Sequence, residues 1–407
     1  MDNWIHHNGF LAAAGTLIRD RHGQGEPVQL CGTNLGGWLV HEPWMTPLAQ
    51  ADDHTARAVL ARRFGAEAQR ELCRIYQDAW LQESDLENIA ALGMNVVRLP
   101  VYYRILMEEN GEWVRDAAGE VDFARLDWLV NTAWAKGLYT ILDLHGAPGS
   151  QNGKDHSGQA GEAAFFAAEA NLRLAIQWWQ AVARHYKDNP AVAGYDLLNE
   201  PEGAAGARQW AAYDRIYRAI REVDPHHLIV IEAVWNWEDL PPPADHGWTN
   251  VAYSHHYYRR EDQSAAAQRE LVDWMLAERR RHQAGGRYAV PQLLGEFCLF
   301  GELEAWRYGL DQFQAAGHHW LTWTYKVAHP ALGNWGLYVA TAAAEAAVNP
   351  HSDSYAEIAR KWGNCQTWKQ FRRNDPLAGL IRDVLGRNGG LKRPAPAAPG
   401  LPPAAPR

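Results

Sequence analysis

The stretch AGYDLLNEP, residues Ala193 to Pro201, is an apolar run that ends in a polar turn. A long amphipathic segment, from about Glu169 to Tyr186, precedes it. A continuous apolar run between a helix and a polar turn reads as a parallel strand covered on both faces. The unit repeats in both directions. Upstream lie Val28 to Asn34, Asn95 to Pro100 and Tyr139 to His145; downstream lie Leu228 to Ala233, Val251 to His256, Gln292 to Glu296 and His318 to Lys326. Helical patterns fall between them, at about Asp52 to Leu92, Phe123 to Lys136, Ala207 to Val223 and Gln263 to Gln283. Ser84 and Glu87 have the spacing of a capping box for the helix that Gly93 stops.

Eight strands with intervening helices predict an α/β fold, a (β/α)₈ TIM barrel. A doubly wound sheet is the alternative, but no GxGxxG or GxxxxGK follows an early strand. One domain is expected over residues 1–388, with 1–27 as an N-terminal extension and 389–407 as a Pro/Ala-rich tail. Six prolines between Arg393 and Arg407 exclude a regular helix or strand there.

A net charge of −9 opposes nucleic-acid binding, which needs a basic face. No apolar run is long enough to span a membrane. The start, MDNWIHHNGF, lacks the basic and apolar regions of a secretory signal. A cytoplasmic protein is expected, or a secreted one whose signal is absent from this sequence. A monomer is expected. The four cysteines are widely spaced without a CxxC and read as buried thiols. Neither HExxH nor GxSxG occurs, so no metal, cofactor or serine nucleophile is expected. Twenty tryptophans are many for packing alone; their faces suit the C–H faces of sugar rings.

Arg98, His145, Glu200, His256, Glu296 and Trp323 all fall at or near C-terminal strand ends, the face where barrels build their sites. Glu200 and Glu296 each close an apolar run, in LLNEP and LLGEF. A carboxylate there is costly unless paired or used. Two carboxyls about 5–5.5 Å apart cleave glycosidic bonds with retention, one as acid and one as nucleophile. Asp143 reads as structural, because it faces away from Leu142 and Leu144.

The chain resembles glycoside hydrolase family 5, and within it the exo-β-1,3-glucanases. The resemblance rests on GTNLGGWLVHEPWMTP (Gly32 to Pro47), GMNVVRLPV (Gly93 to Val101) and DLHGAPGSQNGKDHSG (Asp143 to Gly158), followed by LLNEP, SHHYY (Ser254 to Tyr258), LLGEF and WTYK (Trp323 to Lys326). It covers about residues 28 to 338. It implies that Glu200 is the acid/base, that Glu296 is the nucleophile and that Asn199 bonds a sugar 2-hydroxyl. Arg98 and Tyr258 would orient Glu296, and His145 and His256 would line the reacting subsite. Trp323 would be the sugar platform, and Glu42 and Trp44 would grip the non-reducing end. The implied substrate is a β-linked oligo- or polysaccharide.

SHHYY offers two registers, His255 with Tyr257 or His256 with Tyr258; counting from Asn250 favours the second. IEAVWNWEDLPPP after the fifth strand departs from the family's text, so Glu232, Trp235 and Trp237 read as reshaping the acceptor side. A transglycosylase, and a carbohydrate-binding protein that has lost catalysis, are the alternative readings.

Overall fold

Eight parallel strands close on themselves: β1 (Cys31–Asn34), β2 (Val96–Tyr102), β3 (Tyr139–Gly146), β4 (Val192–Asp196), β5 (Leu228–Glu232), β6 (Val251–Tyr257), β7 (Gln292–Phe297) and β8 (His319–Thr322). β8 pairs with β1, with Trp320 opposite Cys31, and seals the barrel. The computed structural model describes residues 9–49, 51–233, 236–341 and 347–387. The predicted tail and Trp235 lie outside the described residues. Every expected barrel strand is present. Three differ most in extent: the first begins only at Cys31, the fourth ends at Asp196 and the last stops at Thr322. Lys326–Val327 leaves the barrel and joins a small sheet with Tyr338–Ala340 and Phe371–Arg373.

The helix expected to start at Ser84 spans Glu83–Ala91 and is capped differently. Gln82 and Asp85 form the capping box, while Glu87 bonds Lys136 instead. All four cysteines are buried free thiols. Among the described residues no helix is long and apolar enough to cross a membrane.

The barrel holds two cores. Outside the strands a large apolar layer packs under the helices. Inside, Val96, Ile141, Val230, Ala252, Leu293 and Leu321 fill the lower barrel, and Leu11 and Ile18 of an N-terminal hairpin pack against them. Side chains two residues apart on a strand share a face. One step above this plug the interior therefore changes character. Val96 is followed by Arg98, Ile141 by Asp143 and then His145, Val230 by Glu232, and Ala252 by Ser254 and His256. An apolar plug below and a buried ionic layer above is what the strand sequences dictate.

Strict alternation from interior Leu293 would turn Glu296 outward. The β6–β7 register shifts between His255↔Leu294 and His256↔Glu296, which leaves Gly295 as the extra residue. This bulge turns Glu296 inward. Only glycine fits, because a Cβ there would meet Ser254 Oγ at 2.2 Å and His256 Nε2 at 2.9 Å.

Candidate active site

The C-terminal mouth of the barrel opens into a cavity of about 630 Å³. Glu42, Trp44, His145, Asn199, Glu200, Tyr258, Glu296 and Trp323 line it. Eight of the ten expected site residues thus converge on one space. The other two, Arg98 and His256, are buried just beneath.

Glu200 and Glu296 each present an oxygen within 4.8 Å of the other, and His256 Nδ1 lies 2.9 Å from Glu200 and 3.5 Å from Glu296. Their surroundings differ. Glu296 Oε1 accepts from Arg98 Nη1 and Oε2 accepts from the Tyr258 hydroxyl, both at 2.8 Å. Two donors of this kind stabilise a carboxylate. Glu200 has histidines instead: His256 Nδ1 lies 2.9 Å from Oε1, and His156 Nε2 lies 3.3 Å from Oε2. Burial pushes the Glu200 carboxyl up, but the His256 hydrogen bond and the charges of His156 and His256 outweigh it and hold it below the usual carboxylate range. Burial pushes His256 down, and Glu232, Glu296 and the Glu200 hydrogen bond lift it well above the usual imidazole range. The resting pair therefore shares one proton, lying toward His256.

β4 ends at Asp196, so Leu197 to Glu200 form a loop rather than the expected strand end. Glu200 sits at φ 41°, a left-handed conformation that costs a non-glycine residue energy and recurs at functional sites. The loop is held from several sides. Trp179 Nε1 donates to Leu197 O at 3.0 Å, and Asn152 Nδ2 donates to Glu200 O at 3.1 Å. Gln151 Nε2 donates to both His145 O and Asn199 O, at 2.7 and 2.8 Å. This explains the polar end of HGAPGSQNG: its amides clamp the Glu200 loop.

Beneath the pair, Arg98 meets four buried carboxylates: Asp143 at 3.0 Å, Asp196 at 2.8 Å, Glu232 at 2.7 Å and Glu296 at 2.8 Å. Its Nη2 also donates to Asn199 Oδ1 at 2.9 Å. That leaves Asn199 Nδ2 buried without a protein partner. Asp143 does more than brace the strand, since its Oδ2 also bonds His145 Nδ1 at 2.7 Å. Burial lowers His145 to about 3, so its ring is neutral and Nε2 is free to bond a hydroxyl. Glu42 accepts from Trp44 Nε1 at 2.7 Å, and its Oε1 has no partner. Burial, with the neighbouring Glu296 charge, pushes Glu42 well above the usual carboxylate range. Unpartnered polar atoms facing a cavity mark where ligand hydroxyls fit.

Aromatic rings frame the space. Trp323 stacks on His145 with centroids 5.5 Å apart and planes 8° apart. Trp44, Trp335 and Tyr258 form a second wall. Of SHHYY, the His256–Tyr258 register faces the site, while His255 packs on Trp237 outside the barrel. Trp237 is therefore a core residue, contrary to expectation, and also stacks on His282. Glu232 likewise does not reach the acceptor side; it is fully buried under Glu200. His156, Lys154, Asp155, Arg260 and Trp335 line the cavity although nothing in the sequence singled them out. They stand on loops or, for Asp155 and His156, in a single 3-10 turn, where no periodicity reports direction.

A (β/α)₈ barrel whose mouth gathers a carboxylate pair, a buried arginine and aromatic platforms has the architecture of the barrel carbohydrate hydrolases. The chain belongs to glycosyl hydrolase family 5, whose cellulase model matches residues 53–329. It is similar to a beta-xylosidase of Phanerodontia chrysosporium, 34% identical over 262 residues that cover 64% of this chain and 54% of the relative. It is also similar to a probable glucan 1,3-beta-glucosidase A of Aspergillus niger, 34% identical over 199 residues that cover 47% and 46%. The chain thus spans about half the length of these curated relatives. An endogalactoceramidase crystal structure shares the fold, with TM-score 0.60 and 22% identity over 92% of this chain and 84% of that one.

Proposed function

We propose that the protein is a retaining β-glycosidase acting on β-glucans or β-glucosides, exo-acting and preferring β-1,3 linkages. The observation that carries the reading is the Glu200–Glu296 approach to within 4.8 Å over an open cavity. That separation suits a direct nucleophile; an inverting pair needs about 6.5–9.5 Å to admit a water.

Glu296, ionised between Arg98 and Tyr258, attacks the anomeric carbon. The glycosidic C–O bond breaks as Glu200 gives a proton to the leaving oxygen. That proton comes from the pair Glu200 shares with His256 across 2.9 Å. Glu296 now carries the sugar as an ester. Glu200 then takes a proton from water, whose oxygen displaces Glu296 and restores both groups. Asn199 Nδ2 bonds the 2-hydroxyl, a contact that strengthens as positive charge grows on the ring. Trp323 carries the sugar face, and Glu42 Oε1 accepts from a hydroxyl at the far end.

The glucan 1,3-beta-glucosidase relative and the exo-glucanase motifs support the β-1,3 preference. The beta-xylosidase relative favours a second reading, a β-xyloside substrate with the same chemistry. The test is a panel of β-1,2- to β-1,6-linked glucosyl di- and trisaccharides beside 4-nitrophenyl β-glucoside and β-xyloside. Glucose released one unit at a time from laminaritriose, with kcat/KM at least about tenfold above other linkages, is expected; that ratio equals about 1.4 kcal/mol. Preference for another linkage, or for xyloside, overturns the substrate and leaves the mechanism standing. Larger products at high substrate concentration would indicate transglycosylation, and tight binding without cleavage a lectin.

A further inference from the structure

Glu232, at the last position of β5, has a place in neither carboxylate's chemistry, yet it touches the supports of both. Its Oε1 accepts from Arg98 Nη2 at 2.7 Å, and Arg98 in turn holds Glu296. Its Oε2 accepts from the backbone N–H of Glu200 at 2.7 Å, at the residue whose φ is 41°. His256 Nε2 lies 3.3 Å from Oε1, while the other ring nitrogen bonds Glu200. Its carbonyl accepts from the Tyr213 hydroxyl at 3.1 Å, which ties the strand end to the helix Ala207–Arg221. It is fully buried and does not line the cavity.

We propose that Glu232 is a positioning residue that joins the two glutamates into one unit, fixing the strained backbone of Glu200 and keeping His256 charged beside it. The proposal rests on the catalytic reading of Glu200 and Glu296 given above. A charge-assisted bond to the Glu200 N–H offsets the strain of the left-handed turn. A carboxylate near the ring favours imidazolium over imidazole. The charged and titratable groups that face Glu232 are Arg98 from β2, Asp143 from β3, Asp196 and Glu200 from β4 and its loop, Tyr213 from the helix, and His256 from β6. Burial raises the Glu232 carboxyl, but His256 and Arg98 hold it at about 2, so it is an anion at working pH.

Two variants separate its charge from its reach. Glu232→Gln keeps an acceptor oxygen and removes the negative charge. Protons nearby are then held less tightly, so the alkaline limb of the kcat/KM profile moves down by about one pH unit. Glu232→Asp keeps the charge but draws back from the Glu200 N–H. Its limb stays in place and kcat falls on the order of 10²-fold, the scale of a displaced catalytic group, with KM nearly unchanged. An unmoved limb in Glu232→Gln, or parental kcat in Glu232→Asp, overturns the proposal. If Glu232→Gln does not fold, the kcat of Glu232→Asp decides alone. Glu200→Ala with azide and an activated aryl β-glucoside tests the underlying reading separately: β-glycosyl azide supports it, and its absence removes that reading whatever Glu232 does.

Discussion

Glu296→Ala is expected to lower kcat/KM on the order of 10⁵-fold, the scale seen when a hydrolase loses its nucleophile. That corresponds to roughly 7 kcal/mol of transition-state stabilisation. In the proposed mechanism Glu200 is committed to proton transfer, and burial with the neighbouring Glu296 charge pushes Glu42 well above the usual carboxylate range, which makes it a poor substitute nucleophile. Removing the side chain leaves a space above Arg98 and Tyr258, whose donors then face an anion site. Azide entering that space attacks an activated aryl β-glycoside from the nucleophile's side and gives a product of inverted configuration. Recovery of turnover with an α-glycosyl azide is the expected outcome, read by product NMR. Parental activity in the variant, or no rescue at any azide concentration, contradicts the assignment.

Arg98→Met is expected to cost at least about 3–5 kcal/mol of stability, the penalty for breaking a buried ion pair. Here one guanidinium serves Asp143, Asp196, Glu232 and Glu296 together. A folded domain holds only about 5–15 kcal/mol in reserve. Methionine fills much of the same volume, so the loss reports charge rather than packing. The sign with pH follows. Burial pushes Asp143 and Asp196 up, while Arg98 opposes that rise and helps hold Glu232 down. Without arginine the folded state therefore binds protons more readily, and the deficit, present at higher pH, shrinks as pH falls. Urea unfolding should show a larger gap between parent and variant at pH 8 than at pH 5. Equal stability at pH 8 would mean that the ionic layer does not depend on Arg98.

The barrel was legible because each strand is an apolar run, covered outside by helices and inside by the other strands. Its closure followed from the number of such runs. Glu200 and Glu296 were legible because a carboxylate at the end of an apolar run stands out, and the family resemblance then implied the roles proposed for them. What the sequence concealed has physical reasons. The bulge at Gly295 breaks the alternation by one residue, so the inward turn of Glu296 does not follow from counting. Glu232 was assigned to the acceptor side because the loop after it looked unfamiliar. Its own strand held the better signal, since Val230 and Glu232 share a face and Val230 is core. His156 stands in a 3-10 turn oriented by a local bond to Asn152 at 2.6 Å, and Trp335 in a loop, where no strand or helix period reports direction. The Ser84–Glu87 spacing competed with Gln82–Asp85 two residues earlier, and spacing alone cannot choose between them.

The central claim is that Glu296 becomes covalently bound to the sugar while Glu200 handles the proton. An activated 2-deoxy-2-fluoro-β-glycoside slows both steps but spares the first, because its leaving group needs no acid. Incubation with this reagent, followed by proteolysis and mass spectrometry, reads the attachment point. One sugar per chain is expected, on the peptide containing Glu296 and esterified at that residue. A sugar on Glu200 or any other residue, or turnover that gives inverted product without an adduct, would contradict it.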